Sequence, residues 1–479
     1  MEFIMKKANW LVVIFLLSLI GIVLFESCKA PQAEIQTQNR TKQSPKKNYQ
    51  QYCASCHGEQ LKSFINRKWI YGNSWNEVFK GIKEGYPDAG MPGYAETFSD
   101  SEIKALTSYI LKGIENFTKD EIKSTPARFN IVKSEELTFK LDTIATGLDI
   151  PWGLGFLPND DVLITERDGD LFRYRKGEAL HKIKGVPTVW NRGQGGLLDV
   201  QVHPDFKRNQ TIYLSYSKPD GNGKATTAIL KAKLDNDQLV DKKVIFEAKP
   251  YLGTRYHYGS RIEFDQNGFL FFSVGDRGRR DDNPQSLANH CGKVHRIRED
   301  GTIPKDNPFV DTPNAMPTIY SYGHRNPQGL TLNPETNEIW VNEHGPRGGD
   351  ELNRIQKGKN YGWPVISYGI NYSGSKFTDI TAKEGMEQPE KYWVPSIGPC
   401  GMTFVTGDRY PNWKGDILSG SLSFRFLSRL KMEEGKVVKE ERLLQKIGRL
   451  RDVKMGKDGY IYIAVEAPGA VFRLVPVEE

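Results

Sequence analysis

Beyond residue 150 the chain repeatedly places a polar turn before a β-rich run, and this recurrence restricts its main body more than any other feature. Asn159-Asp160-Asp161 precedes Val162–Thr165, Asp205 to Gln210 precedes Ile212–Tyr216, and Gln266-Asn267-Gly268 precedes Phe269–Val274. Thr336-Asn337 precedes Ile339–Val341, Trp413-Lys414-Gly415 precedes Ile417–Ser419, and Lys457-Asp458-Gly459 precedes Tyr460–Val465. Turn residues followed by β-branched and aromatic residues are the local signature of a strand that leaves a tight turn. Six such units in about 340 residues give each the length of a four-stranded sheet, so the expected body is a six-bladed β-propeller. The 46 glycines and 11% aromatic content agree with an all-β body rich in turns.

The preceding region has another period. Ser99 and Glu102 form a capping box, and Ile103, Leu106, Ile110 and Ile114 then fall on one helical face. Upstream stands Cys53-Ala54-Ser55-Cys56-His57, in which two thiols on one helical turn can add across the vinyl groups of a haem while His57 ligates the iron. A zinc site would need further ligands nearby, yet after His57 the next histidine is His181 and the next cysteine Cys291. A thioredoxin-like pair would need a βαβ setting, which the surroundings do not offer. Met91, in Gly90-Met91-Pro92-Gly93, is the expected second axial ligand, because Met/His ligation favours electron transfer. The fold expected is therefore multidomain, a small all-α cytochrome c domain followed by the all-β propeller.

Lys6 and Lys7 precede an apolar run from Leu11 to Phe25, short for a membrane span and suited to a signal segment. Phe25-Glu26-Ser27-Cys28 resembles a lipoprotein cleavage site with Cys28 as the acylated residue, an uncleaved anchor being the alternative. Either reading places the protein outside the cytoplasm, in the periplasm or at the cell surface, attached to a membrane. The expected boundaries are a signal peptide over 1–27, a flexible tether over 28–46, the cytochrome over 47–117, a linker over 118–136 and the propeller over 137–479. Cys291 and Cys400 remain, to pair or stay free. A formal charge of +7 without a basic cluster interleaved with aromatics gives no support for a nucleic-acid partner.

Several segments interrupt the strand pattern with glycine and polar groups: Gly193-Gln194-Gly195-Gly196, His257-Tyr258-Gly259-Ser260-Arg261, Gly323 to Gly329, Glu343 to Glu351, and Arg449-Leu450-Arg451-Asp452. Guanidinium groups beside His, Gln and Asn suit an anionic ligand with many oxygens, and carbonyls in a Gly-Pro turn suit calcium. Ordinary propeller turns and salt bridges would account for any one segment alone.

Taken with Gly292-Lys293-Val294, Asp300 to Pro308 and Asn360-Tyr361-Gly362-Trp363-Pro364, these segments resemble the soluble PQQ-dependent glucose and aldose sugar dehydrogenases, the glucose/sorbosone dehydrogenase family. The likeness runs from about Leu141 to Val475, and the haem region resembles class I c-type cytochromes. The resemblance implies PQQ, calcium and haem c as cofactors and an aldose as substrate. It implies His257 as the base that takes the anomeric proton while hydride passes to the quinone, with Gln194 at the substrate hydroxyl or quinone. Arg325, Asn326, His344, Ser396, Arg449 and Arg451 fall on quinone-binding positions, with Arg451 beside the reactive carbonyl. Gly345 and Pro346 fall on the catalytic calcium, and Glu351 and Tyr361 on a second calcium. Electrons would pass to the haem and then to a downstream cytochrome or respiratory component. This chain departs from the family's glucose enzymes at Tyr256, where they carry Asp, at Ser423, where they carry Lys with Arg425 a possible substitute here, and at His344, where they carry Gln. The alternatives are a propeller that only binds glycan or protein, or a dehydrogenase of sorbosone, another aldehyde or polysaccharide ends.

Overall fold

The computed structural model describes residues 43–57, 61–64, 69, 71–87, 90–120 and 131–477. The signal segment with Cys28 and the Cys56 side chain lie outside the described residues. No helix among the described residues is long and apolar enough to cross a membrane.

Among the described residues, the N-terminal domain contains helices α1 (Pro45–Tyr52), α2 (Trp75–Glu84) and α3 (Asp100–Asp120), with a helical turn at Ala54–His57 after α1. The expected capping box at α3 forms, since the Ser99 N–H and hydroxyl both donate to Glu102 and the Glu102 N–H donates back to Ser99 Oγ. Ser74 and Glu77 cap α2 in the same way. Ile103, Leu106 and Ile110 of α3 are buried against Tyr49, Tyr52, Val78, Ile82 and Phe98. This cluster fixes the helix that leads into Cys53.

Six sheets follow, and the propeller expectation holds. Blade 1 spans Pro151 to Lys182, blade 2 Leu197 to Glu247, blade 3 Ile262 to Tyr322, blade 4 Pro327 to Trp393 and blade 5 Pro399 to Leu443. In blade 6 the chain's ends meet: Arg449–Met455, Ile461–Glu466 and Ala470–Pro476 are completed by Thr138–Ala145, which pairs Leu141 with Leu474. Val132–Lys133 adds a short outer strand to the same sheet. Closing the ring through hydrogen bonds between distant segments removes the open edge that a linear array would leave. Phe139 anchors this closure, fully buried with its ring 5.7 Å from Trp413.

Every recurring turn-and-strand unit proves to be the second strand of its blade. The polar turn is the link from the first strand, so all six turns lie at one end of the propeller. The loops that lead into each first strand, and those that leave each second strand, lie at the opposite end. The first strands of successive blades pack against one another around the centre.

Arg261 occupies that centre. Its Nη1 lies 3.1 Å from Asp199 Oδ1 of blade 2 and 3.0 Å from Asp452 Oδ1 of blade 6. Its other nitrogens donate to the Gln328 and Arg451 carbonyls, and its guanidinium lies 4.2 Å from the Trp152 ring centroid of blade 1. Asp452 in turn accepts from the Leu154 N–H, and Asp199 from Ile262 N–H. The three charged side chains are 2%, 0% and 1% exposed, and Arg261 is the cation shared by both acids, with Lys454 Nζ a second one 3.6 Å from Asp199 Oδ1. Arg261→Met leaves two buried carboxylates short of their cation and is expected to cost about 3–5 kcal/mol in urea unfolding. Adding Asp199→Asn and Asp452→Asn should recover part of that loss. An unchanged midpoint in the single variant would show that the triad does not tie the ring.

Candidate active site

The residues singled out for chemistry come from separate blades but gather at one end, because each stands where the chain approaches a first strand or leaves a second. Gln194 precedes blade 2, His257 precedes blade 3, Arg325 and Asn326 precede blade 4, and Ser396 precedes blade 5. Arg449 and Arg451 begin blade 6, and His344, Gly345 and Pro346 follow the second strand of blade 4. Backbone bonds sew these loops together: the Asp276 N–H donates to Arg325 O at 2.7 Å and the His344 N–H to Asn326 O at 3.1 Å.

His257 is held in a left-handed conformation, φ 58°, which costs a non-glycine residue about 1–3 kcal/mol unless its surroundings impose it. They do so from both sides. Gln194 Oε1 accepts the His257 N–H at 2.8 Å, and the buried Arg277 guanidinium donates to the Thr254, Tyr256 and Ala225 carbonyls. The role expected for Gln194 toward a substrate thus comes with a structural one, orienting the His257 peptide. On the side-chain side, Nδ1 lies 2.6 Å from Asp276 Oδ1. Asp276 is oriented by the Gly278 N–H at 2.7 Å and by Trp363 Nε1 at 2.9 Å. A carboxylate at Nδ1 fixes the tautomer, so that Nε2 carries the lone pair that accepts a proton.

Burial holds the His257 pKa below its ordinary 6.5, aided by the positive charge of Arg325 and only partly opposed by Asp276. The ring therefore stays neutral and basic. Arg325 is positioned by its N–H to Glu343 Oε2 at 2.7 Å and its Nη1 to His344 O at 3.0 Å. The Asn326 amide oxygen accepts from Gly259 N–H, fixing the direction of the amide. Glu466, at the end of the second strand of blade 6, lies 3.3 Å from Arg449 Nε and 2.8 Å from Arg451 Nη2. His344 is buried with Nε2 2.6 Å from Pro399 O, and its pKa is pushed down to about 3 chiefly by burial.

A small cavity beside this array is lined by Arg325, Glu343, His344, Gly345, Glu351, Tyr361 and Trp363. Glu343 and Glu351 both accept from Asn353 Nδ2, and Asn353 Oδ1 is buried without a hydrogen-bond partner. Burial and the charge of Glu343 push the Glu351 carboxyl up to about 8. Two buried acids facing one cavity, Glu343 and Glu351, are oxygen groups of the kind a hard cation takes. Tyr361 commits its hydroxyl to Arg354 O and Gln356 N–H and its main-chain N–H to Tyr322 O, so the oxygen it could offer such an ion is its carbonyl. Ser396 Oγ donates to Pro346 O at 3.2 Å. Ser423 is buried at the mouth against Gly398, and the Arg425 carbonyl accepts from Lys446 N–H.

In the helical domain, His57 stacks on Phe64 at 4.9 Å, and Met91 pairs through its backbone with Tyr86. Cys291 and Cys400 are both free and buried in the propeller. Asp276, Glu466 and Arg277 were not foreseen as site residues. The first and third stand in Gly275-Asp276-Arg277-Gly278, directly after a recurring strand, and that break in the strand pattern was the available signal.

Residues 148–473 match the Glucose / Sorbosone dehydrogenase family, and residues 40–110 match the family described as cytochrome c oxidase, cbb3-type, subunit III. The chain is 42% identical to an aldose sugar dehydrogenase of Escherichia coli (strain K12), over 71% of this chain and 93% of the relative. It is 30% identical to quinoprotein glucose dehydrogenase B of Acinetobacter calcoaceticus, over 59% of this chain and 63% of the relative. Among solved structures, the apo soluble aldose sugar dehydrogenase from Escherichia coli superposes with a TM-score of 0.68 at 40% identity, covering 71% of this chain and all of that one (100%). The PQQ-bound aldose sugar dehydrogenase from Streptomyces coelicolor gives 0.58 at 25% identity, covering 71% and 98%.

Asp276→Asn keeps the shape of the pair but removes the charge that fixes the His257 tautomer. Turnover should fall by a factor on the order of 10²–10⁴, with the fold and haem spectrum unchanged. If His257 serves as the base, only its neutral ring is competent, so the acid limb of kcat/KM in the native protein should lie below pH 6.5. A limb at or above the ordinary histidine value would contradict a buried, neutral base.

Proposed function

The chain belongs to the glucose/sorbosone dehydrogenase family, and on that premise we propose that it is a quinohaemoprotein that oxidises the anomeric hydroxyl of an aldose to a lactone. The observation that carries this reading is the His257–Asp276 pair set beside Arg325, Arg449 and Arg451 at the mouth of one propeller end. A propeller kept only for binding would have no use for a buried, oriented, neutral base.

His257 Nε2 takes the proton of the anomeric hydroxyl, and Asp276 stabilises the imidazolium that results. PQQ, when bound, supplies the hydride acceptor. Arg325, Arg449 and Arg451, with the oriented amide of Asn326, supply donors for its carboxylates and ring oxygens. Glu466 lets two of these guanidiniums stand side by side by offsetting their repulsion. Carbonyls at Gly345 and Pro346 suit calcium beside the quinone, and Glu351 with the main chain of Tyr361 suits a second ion. These charges favour the oxygen on which negative charge develops.

Cys53 and Cys56 would hold haem c covalently, with His57 and Met91 as axial ligands, and pass electrons to a downstream cytochrome or respiratory component. Acylation at Cys28 would tether the enzyme at the periplasmic or outer surface of a membrane.

The test is to load the purified protein with PQQ and calcium, add a panel of aldoses and follow the haem absorption bands. Haem reduction that requires both PQQ and sugar is the expected result. His257→Ala should abolish it with an unchanged haem spectrum, whereas Met91→Ala should change the spectrum itself. Intact haem that no sugar reduces, in protein shown to hold PQQ, would refute the reading.

A further inference from the structure

The helical domain touches the propeller through residues that adjoin the expected haem attachments on one side and the sugar-oxidising site on the other. Tyr52 immediately precedes Cys53, and its ring lies 4.4 Å below the guanidinium of Arg347, which follows Pro346. Gly90 immediately precedes Met91, and a Cβ placed there would lie 3.3 Å from Cγ of Tyr256, which precedes His257. The Tyr71 hydroxyl accepts from Arg255 Nη1 at 3.0 Å, and the Tyr71 ring stacks at 3.8 Å on Tyr86, whose backbone pairs with Met91.

Tyr256 is the centre of this contact. Its ring lies between two glycines: Gly90 of the helical domain and Gly278 of the propeller, where a Cβ would fall only 2.4 Å from ring atoms. It also meets the His257 imidazole, edge-on with centroids 4.8 Å apart at 84°. One aromatic ring therefore spans from the Met91 loop to the catalytic base. It stands where the family's glucose enzymes carry an Asp, so the departure noted in the sequence acquires a use. Absence of a side chain at Gly90 lets the two domains meet at van der Waals distance, and electron tunnelling falls off exponentially with such gaps.

We propose that the haem domain is docked across the mouth of the propeller, clamped by Arg255 and Arg347, and that Tyr256 is the contact through which electrons leave the sugar site for the haem. This rests on the quinohaemoprotein reading. Oxidising the aldose breaks the C1–H and anomeric O–H bonds, forms the lactone C=O and releases two electrons and two protons. The electrons leave the bound quinone singly. Each converts one ferric haem iron to ferrous, which a one-electron cytochrome outside the chain reoxidises before the second arrives. The protons leave to solvent, one of them by way of His257. A clamp of three contacts suffices because the two domains share one chain, which supplies an effective concentration on the order of millimolar.

The test compares the native full-length protein, loaded with haem, PQQ and calcium, with the double variant Tyr71→Phe/Arg255→Ala. Dye-linked sugar oxidation reports the propeller site alone, and stopped-flow haem reduction reports the transfer. Hydrogen–deuterium exchange over residues 84–95 and 251–258 reports the contact without reference to activity. In the native protein, haem reduction should be first order and independent of protein concentration. In the variant, both segments should exchange faster and haem reduction should slow by about tenfold or more, while dye reduction keeps its native rate. Native haem reduction that scales with protein concentration would overturn the proposal. So would a variant in which exchange is unchanged, or one in which both segments exchange faster but haem reduction keeps its rate. If no aldose reduces either dye or haem, the functional reading fails, and the exchange comparison still decides whether the domains are docked.

Discussion

A single guanidinium in the middle of the ring holds this propeller's active end in register. Arg261 meets acids of blades 2 and 6, carbonyls at the start of blades 4 and 6 and the indole face of blade 1. Burial disfavours its charge, yet Asp452 and Asp199 more than offset that and keep its pKa above the ordinary arginine value. Such a triad has no tolerance for a blade that shifts, since moving either acid would strand a charge in a low dielectric. The residue four positions earlier is His257, so the constraint that ties the blades also sets the starting point of the loop that carries it.

From that anchor the candidate site is built by supports whose partners are other residues of the protein. Arg277 collects three carbonyls to impose the left-handed turn at His257, Asp276 sets its tautomer, and Glu466 draws two arginines together. Each support comes from the end of a second strand or the loop that leaves it, while the groups they position stand at the start of a first strand or just before it. An antiparallel blade brings those two kinds of loop to one end, which is why a propeller can surround a reacting group with side chains from five sheets.

Much of the architecture could be read from local pattern. Polar turns before β-rich runs located the second strand of every blade, and the capping box at Ser99 located the helix that packs behind Cys53. The candidate residues His257, Arg325, Asn326, Arg449 and Arg451 were visible as glycine-flanked interruptions of the strand pattern. Asp276 stands in a similar interruption, Gly275 to Gly278, but its pairing with His257 was not legible, and Glu466 gave no signal because an acid at the end of a strand looks like any surface carboxylate until its partner is known. Arg261 was visible only as a residue at a fixed distance from His257; that it fills the centre of the ring depends on partners from Trp152 to Asp452.

The sequence by itself therefore determined the kinds of element, their number and the chemical groups available. Turn propensity, strand alternation and the Cys-x-x-Cys-His spacing act over a few residues and need no distant partner. The tertiary structure alone decided which end of the propeller gathers the candidate residues, which acid orients His257, and that the loop bearing Met91 meets the ring of Tyr256. Those outcomes depend on closing the ring between Thr138–Ala145 and Ala470–Pro476 and on charges that become paired only once several blades surround them. No local pattern can carry such pairings, because the free energy that selects them arises from burial shared among segments hundreds of residues apart.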